Sequence, residues 1–447
     1  MARFDVAVLG GGSGAEAVCG AGLGGRSVVV IEEARFGGEC PFLACMPSKA
    51  MLHDARGHRD SHPGSWRTPD PVAYRSAAQR RDQVAEHLDD SQHLEELRAQ
   101  GVTAIRGRGR VVGPGLLQVG EQRVEADDLV IATGSEPVIP DIAGLDQVDY
   151  WLSDRVLTST ELPQSAAVLG GGPVGCELAQ LLARFGCRTS LIEVAERLLP
   201  AEEPELGRAL QEQLQEDGVE VLLGSPVLSV TPAGAAGVRL QRRDGPPQDC
   251  QILVLAVGRR PRLQNLGLEA YGLDPKVGRL TIDAHCRALG QAHLFGVGDV
   301  TGVAPFTHTA NYQGRVTAAN LRGEAAIADY RAIPRAVYTD PPVAAVGLTR
   351  QRAQDQGTSI RSVTLPLRET ARALAEGTVR GALVLLADPA QQVLLGAAVA
   401  GPGADESIGW AALAIRAEIR LATLRDTVAP FPTYSEAYQA ALDRLQA

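Results

Sequence analysis

The chain has 447 residues, too many for one ordinary domain at roughly 100 to 200 residues each, so about three packed units are expected. Lys and Arg number 43 against 53 Asp and Glu, for a formal net charge of -10, and no basic block is interleaved with aromatics, which argues against a nucleic-acid partner. No apolar run approaches the roughly 18 residues of a membrane span, and the first apolar strand begins almost at Met1, with no room for a secretory leader, so a soluble, cytoplasmic protein is expected.

Phe4 to Leu9 reads as a strand, and from Val6 the run VAVLGGGSGAEA gives strand, glycine turn and helix. Gly10, Gly12 and Ala15 fill the GxGxxG/A pattern, and the next strand, Ser27 to Ile31, ends at Glu32. In such a motif the first glycine makes the tight turn and the second lets backbone approach a pyrophosphate. The third position needs a small residue for close helix packing, and the acid at the tip of the second strand accepts from ribose hydroxyls. The stretch Tyr74 to Gln100 is polar with recurrent Ala and Leu and reads as an exposed helix. Leu129 to Ser135, Leu253 to Pro261 and Leu294 to Asp299 are short apolar strands running into glycine turns, where the chain returns to the nucleotide folds.

From Ala167 the run AVLGGGPVGCELA repeats the first motif, with Gly170, Gly172 and Gly175 in the pattern and the strand Thr189 to Ile192 ending at Glu193. Two copies, each with a correctly spaced acid, predict two nucleotide-binding units in one chain. From about Ile333 the texture changes to strands Ala382 to Leu386 and Val393 to Val399 and helices near Ser407 to Glu418 and Ser435 to Leu445, a third unit of α+β character.

The seven cysteines are an odd count in a long chain without a leader, so a structural disulfide framework is not expected. Cys19, Cys176, Cys187, Cys250 and Cys286 stand among apolar neighbours and read as small core residues. Cys40 and Cys45 lie in GGECPFLACMPSK, Gly37 to Lys49, just before a helix opened by Pro47. Five residues of regular helix would rotate Cys45 about 140° from Cys40, so a bond between them needs an irregular turn. A thiolate at Cys45 would be favoured by the helix N-terminus. Two unpaired core cysteines and metal ligation are the other readings, although zinc usually takes a second pair, which is absent, and no metal is expected.

Together these motifs resemble the flavin-dependent pyridine nucleotide-disulfide oxidoreductases, the family of dihydrolipoamide dehydrogenase, glutathione reductase and mercuric reductase. The resemblance spans nearly the whole chain. It implies an α/β fold with two Rossmann-like nucleotide-binding domains, for FAD and NAD, plus a C-terminal α+β dimerisation domain. The implied division is 1–150 and 273–330 for FAD, 151–272 for NAD(P) and 331–447 for dimerisation. It further implies FAD contacts at Gly10, Gly12, Gly14, Glu32, Lys49, Gly109, Ala132, Thr133, Gly134, Asp299 and His308. NAD(H) would be held at Gly170, Gly172, Gly175, Glu193 and Gly258, with NADH favoured over NADPH because Glu193 repels a 2′-phosphate. Cys45 would be the flavin-side thiol and Cys40 the interchange thiol, with Lys49 and Glu177 paired beside the flavin. Glu436 would complete the active site of the partner in a homodimer.

One departure stands out. The family's C-terminal HPTxxE reads here Phe431, Pro432, Thr433, Tyr434, Ser435, Glu436, so the glutamate remains and the histidine base is absent. A positioned base commonly contributes roughly 10² to 10⁴-fold, and only Tyr434 or Tyr438 is nearby to replace it. The reading is an NADH-dependent flavoenzyme passing electrons through Cys45 and Cys40 to a disulfide or related acceptor, similar to dihydrolipoamide dehydrogenase. An NADH:quinone or diaphorase-type reductase is the rival. A mercuric reductase-like activity is disfavoured because the chain ends Asp443 to Ala447 without a cysteine pair. A transhydrogenase-like activity is disfavoured because both Cys40 and Cys45 are kept, and a nucleotide-sensing flavoprotein without turnover is the reading of another class.

Overall fold

The computed structural model describes residues 2–274, 276–377 and 379–446. Met1, Pro275, Thr378 and Ala447, among them the outer ends of the expected 1–150 and 331–447 stretches, lie outside the described residues. The chain groups into two compact units: Met1–Pro47 with Arg80–Val138 and Gly258–Asp329, and Ser48–Gln79 with Ile139–Val257 and Tyr330–Ala447.

In the first unit four parallel strands lie in the order Thr103–Arg106, Val28–Glu32, Ala2–Leu9 and Gln122–Ile131. Gln122–Ile131 also takes Leu294–Gly296 in parallel and an antiparallel pair, Leu116–Val119 and Gly109–Gly113. Residues 6–9, 28–31 and 129–131 are buried on both faces, as the centre of a parallel sheet covered on both sides requires. Val6, Val8, Val28 and Val30 turn to a core with Ala15, Val18 and Ala318. Ala7, Leu9, Val29 and Ile31 turn to another with Val111, Leu117 and Val119.

The second unit repeats the design with five parallel strands: Glu220–Leu222, Arg188–Ile192, Ser165–Leu169, Ile252–Leu255 and Tyr150–Trp151. The first of these in chain order, Tyr150–Trp151, begins one residue before the expected start at 151. The C-terminal segment forms an antiparallel five-stranded sheet: Pro334–Val337, Val343–Gly347, Val393–Ala400, Ala382–Asp388 and Arg361–Pro366. Its residues are grouped with the second compact unit. One face, including Val337, Ala345, Val384 and Ala398, joins the core that holds Ala166 and Val168. The other is covered by helices Ala404–Arg416 and Glu436–Gln446.

The expected exposed helix from Tyr74 to Gln100 is corrected. The segment forms helices Pro71–Val84 and Ser91–Ala99, interrupted at Glu86, His87 and Leu88, whose φ values of 49°, 52° and 64° are left-handed. It also buries Tyr74, Ala77, Ala78, Ala85 and Leu97. Alanines recurring in a polar stretch hide a packing face, because each buries without adding much apolar character to the window. Among the described residues no helix is long and apolar enough to cross a membrane.

Tyr74 is fully buried, edge-on to Phe185 at 5.4 Å. Tyr74→Ala should therefore cost about 3 to 5 kcal/mol of stability in denaturant unfolding. A loss within about 0.5 kcal/mol, the value for an exposed helix, would contradict this packing.

Candidate functional site

The first glycine turn is shaped by collisions a side chain would cause. Gly10 has φ +103°, and a Cβ there would strike the Ala132 carbonyl. Gly14 lies behind the turn, where a Cβ would come within 2.7 Å of Val297 Cγ1, so glycine is needed there for packing. Gly109 likewise backs onto Leu9 and Ile31. At Gly12 the nearest atom to an added Cβ is Gly38 Cα at 3.6 Å, so the space before it is open. Gly12 caps the helix Ser13–Gly20 without a side-chain bond, leaving that helix end suited to an anion. Glu32 accepts from Gly11 N at 2.7 Å and Ala34 N at 2.6 Å.

The second turn repeats this arrangement. Gly170 has φ +110° and abuts the Ala256 carbonyl, and Gly175 abuts the Gly170 carbonyl. Nothing lies within 4 Å of a Cβ at Gly172, which caps helix Pro173–Arg184 without a side-chain bond. Glu193 accepts from Gly171 N at 2.5 Å and Ala195 N at 2.7 Å. Gly258 is grouped with the first unit, where its carbonyl accepts from Val138 N. The open second glycines, bare helix ends and strand-tip carboxylates fit two dinucleotides.

Also in the first unit, Ala132, Thr133 and Gly134 follow the strand Gln122–Ile131, with Thr133 Oγ1 donating to Arg262 O at 2.7 Å. Asp299 accepts from Ser135 Oγ at 2.6 Å. That hydroxyl accepts from Arg259, which reaches Glu39 at 2.5 Å.

Cys40 sits in the single-turn helix Glu39–Phe42, and Cys45 opens helix Cys45–Ser61. Leu43, at φ -129° and ψ -3°, supplies the irregular turn between them. Both sulfurs converge on one hydroxyl: Thr307 Oγ1 is 3.2 Å from Cys40 Sγ and 3.5 Å from Cys45 Sγ. Thr307 begins helix Thr307–Leu321; His308 follows it, exposed and stacked on Phe306 at 5.1 Å. Sequence reading missed Thr307, since nothing local ties a threonine to cysteines more than 260 positions away. The other five cysteines are buried. Burial pushes the thiols of Cys19 and Cys187 up to about 12 and Cys250 up to about 11, and raises Cys176 as well, so these four stay protonated at neutral pH.

In the second unit Lys49 Nζ meets Glu177 Oε2 at 2.8 Å, with the Glu177 side chain only 9% exposed. The Lys49 side chain is 34% exposed, so the pair is half-buried. Glu177 Oε1 accepts from Tyr338 N at 2.9 Å, and Lys49 Nζ lies 4.6 Å from the Tyr338 ring centre. The same helix straps the neighbouring segment further along. Gln180 Oε1 accepts from Asp340 N at 2.8 Å, and Arg184 bonds Asp340 at 2.8 Å and Asp217 at 2.9 Å. Burial raises the Asp217 carboxyl, with Arg184 opposing the shift.

At the C-terminal segment, Phe431 is 78% exposed. Glu436 accepts from Ala371 N at 3.1 Å and Thr433 N at 3.4 Å, so it ties the start of helix Ala371–Glu376 to its own loop. Tyr434 donates to Glu376 at 2.6 Å and Tyr438 is buried against the Ser407 carbonyl. Burial raises both phenols far above their ordinary value, with Glu376 adding to the effect at Tyr434. Both stay protonated at neutral pH.

Residues 4–314 match the pyridine nucleotide-disulphide oxidoreductase model, and 333–442 its dimerisation domain. The chain belongs to the pyridine nucleotide-disulphide oxidoreductase family. Its members bind FAD and use NAD(P). It is 32% identical over 447 residues to a dihydrolipoyl dehydrogenase of Chlamydia muridarum, covering 97% of this chain and 95% of that one. It is 33% identical over 455 residues to a mercuric reductase of Streptomyces lividans, covering 98% and 95%. Among solved structures, LpdA of Mycobacterium tuberculosis matches with a TM-score of 0.87 at 26% identity over 100% of both chains. The HOCl-induced flavoprotein disulfide reductase RclA of Escherichia coli matches with a TM-score of 0.86 at 26% identity, over 98% of this chain and 99% of that one.

Gly172→Ala should leave unfolding stability within about 0.5 kcal/mol, since its Cβ meets no protein atom. It should weaken nicotinamide nucleotide binding by about tenfold or more, because that Cβ enters the space kept for the pyrophosphate. Unchanged nucleotide affinity in a fluorescence titration would contradict that role for the second turn.

Proposed function

We propose that this chain is an NADH-oxidising flavoenzyme whose electrons pass through FAD to Cys45 and Cys40 and then to a disulfide or related acceptor, in the manner of a dihydrolipoyl dehydrogenase. The observation that carries the reading is the convergence of both sulfurs on the Thr307 hydroxyl at 3.2 and 3.5 Å. Bound FAD would supply a carrier that takes a hydride from the nicotinamide and returns an electron pair to sulfur.

The chain's own groups do the rest. Gly12 with Glu32 and Gly172 with Glu193 seat the two dinucleotides, and Glu193 selects a free 2′-hydroxyl because its carboxylate repels a phosphate there. Glu177 and the Tyr338 ring hold the Lys49 ammonium in one place. Cys40 and Cys45 exchange with the acceptor. We assign a homodimer as the working form. The matched dimerisation segment exposes large apolar side chains, Leu374 at 84%, Leu413 at 63% and Val428 at 92%, besides Phe431.

The exposed Phe431 and the two protonated tyrosines favour a second reading for the acceptor, a quinone, whose reduction needs no base beside a thiol. Steady-state NADH oxidation by the FAD-loaded enzyme, with lipoamide and with a soluble quinone, separates the two. Phe431→His should raise lipoamide turnover by about 10²-fold, the low end of a positioned base's contribution, and leave quinone turnover unchanged. Lipoamide turnover that stays negligible in both proteins while quinone is reduced fast would contradict the disulfide acceptor.

A further inference from the structure

We propose that Thr307 is the internal proton carrier of the dithiol, exchanging protons between Cys40 and Cys45 so that the negative charge can move from one sulfur to the other. This inference rests on the dithiol reading above. A threonine hydroxyl has one proton to donate and two lone pairs that accept. Placed 3.2 Å from Cys40 Sγ and 3.5 Å from Cys45 Sγ, it can accept from one sulfur while donating to the other. Thr307 is held there by the start of the helix Thr307–Leu321, and Leu43 breaks the helical path so that both sulfurs reach the same point.

In the reduced pair with one proton and the charge on Cys45, the Thr307 proton passes to the Cys45 sulfur as the Cys40 thiol proton passes to the Thr307 oxygen. One S–H and one O–H bond break, and one of each forms. No electron leaves the site, and the charge arrives on Cys40, the sulfur assigned to attack the acceptor. The step needs no external base, which matches a chain with phenylalanine at 431 and with both nearby tyrosines held protonated.

The test uses the FAD-loaded enzyme reduced anaerobically with NADH, then treated with iodoacetamide near pH 7, with alkylation of Cys40 and Cys45 resolved by peptide mass spectrometry. Thr307→Val should slow Cys40 alkylation by about tenfold, as loss of a hydrogen bond to a charged sulfur implies, and should move the pH profile of that rate upward. Thr307→Ser, which keeps the hydroxyl, should restore both, and flavin absorbance reports whether each variant retains its cofactor and fold. Alkylation of Thr307→Val at the wild-type rate, or a serine variant as slow as the valine one, would overturn the relay. If NADH fails to make either cysteine of the wild type alkylatable, the dithiol reading itself fails and the relay falls with it.

Discussion

In each nucleotide fold a carboxylate at the tip of the second strand accepts from the amide that follows the first glycine of the turn and from the amide two residues beyond itself. Glu32 and Glu193 make these bonds at 2.5 to 2.7 Å. Charge-assisted bonds of this length fix the glycine turn against the strand end. The first glycine is forced by a neighbouring carbonyl, while a Cβ at the second would meet nothing closer than 3.6 Å and leaves a space that a pyrophosphate can enter. Everything assigned to the chain's chemistry assumes two dinucleotides seated in these turns.

The redox pair is a second product of local constraint. Five positions of regular helix would carry the two sulfurs apart, but a single helical turn, a break at Leu43 and a new helix starting at Cys45 bring both to one hydroxyl. The five remaining cysteines lie buried in the cores. A thiol in an apolar interior is disfavoured as thiolate, so reactivity is concentrated where polar groups and helix starts meet.

Features with a local signal were legible in the sequence: the two glycine turns, their acids, the cysteine block and the α+β texture of the C-terminal segment. Lys49 and Glu177 stand 128 positions apart, and only the family pattern paired them. The structure places them 2.8 Å apart. Non-local features were not legible. Thr307 touches the sulfurs across more than 260 positions, and Tyr338 joins Glu177 through its backbone amide, which leaves no trace in residue type. The stretch from Tyr74 looked exposed because alanines can bury a helix face without raising its average apolarity. Gly14 and Gly109 carry the family pattern, while what forces glycine there is contact with Val297 and Leu9. The retained Glu436 ties its loop to helix Ala371–Glu376, a local structural task that persists without a histidine at 431.

In the proposed reaction, electrons from NADH come to rest on sulfur beside the flavin. Anaerobic titration of the FAD-loaded protein with NADH, followed by visible absorption, reads where those electrons stop. A long-wavelength thiolate-to-flavin charge-transfer band is expected after one equivalent, absent in Cys45→Ser. Bleaching of the flavin alone, with no such band in the wild type, would contradict it.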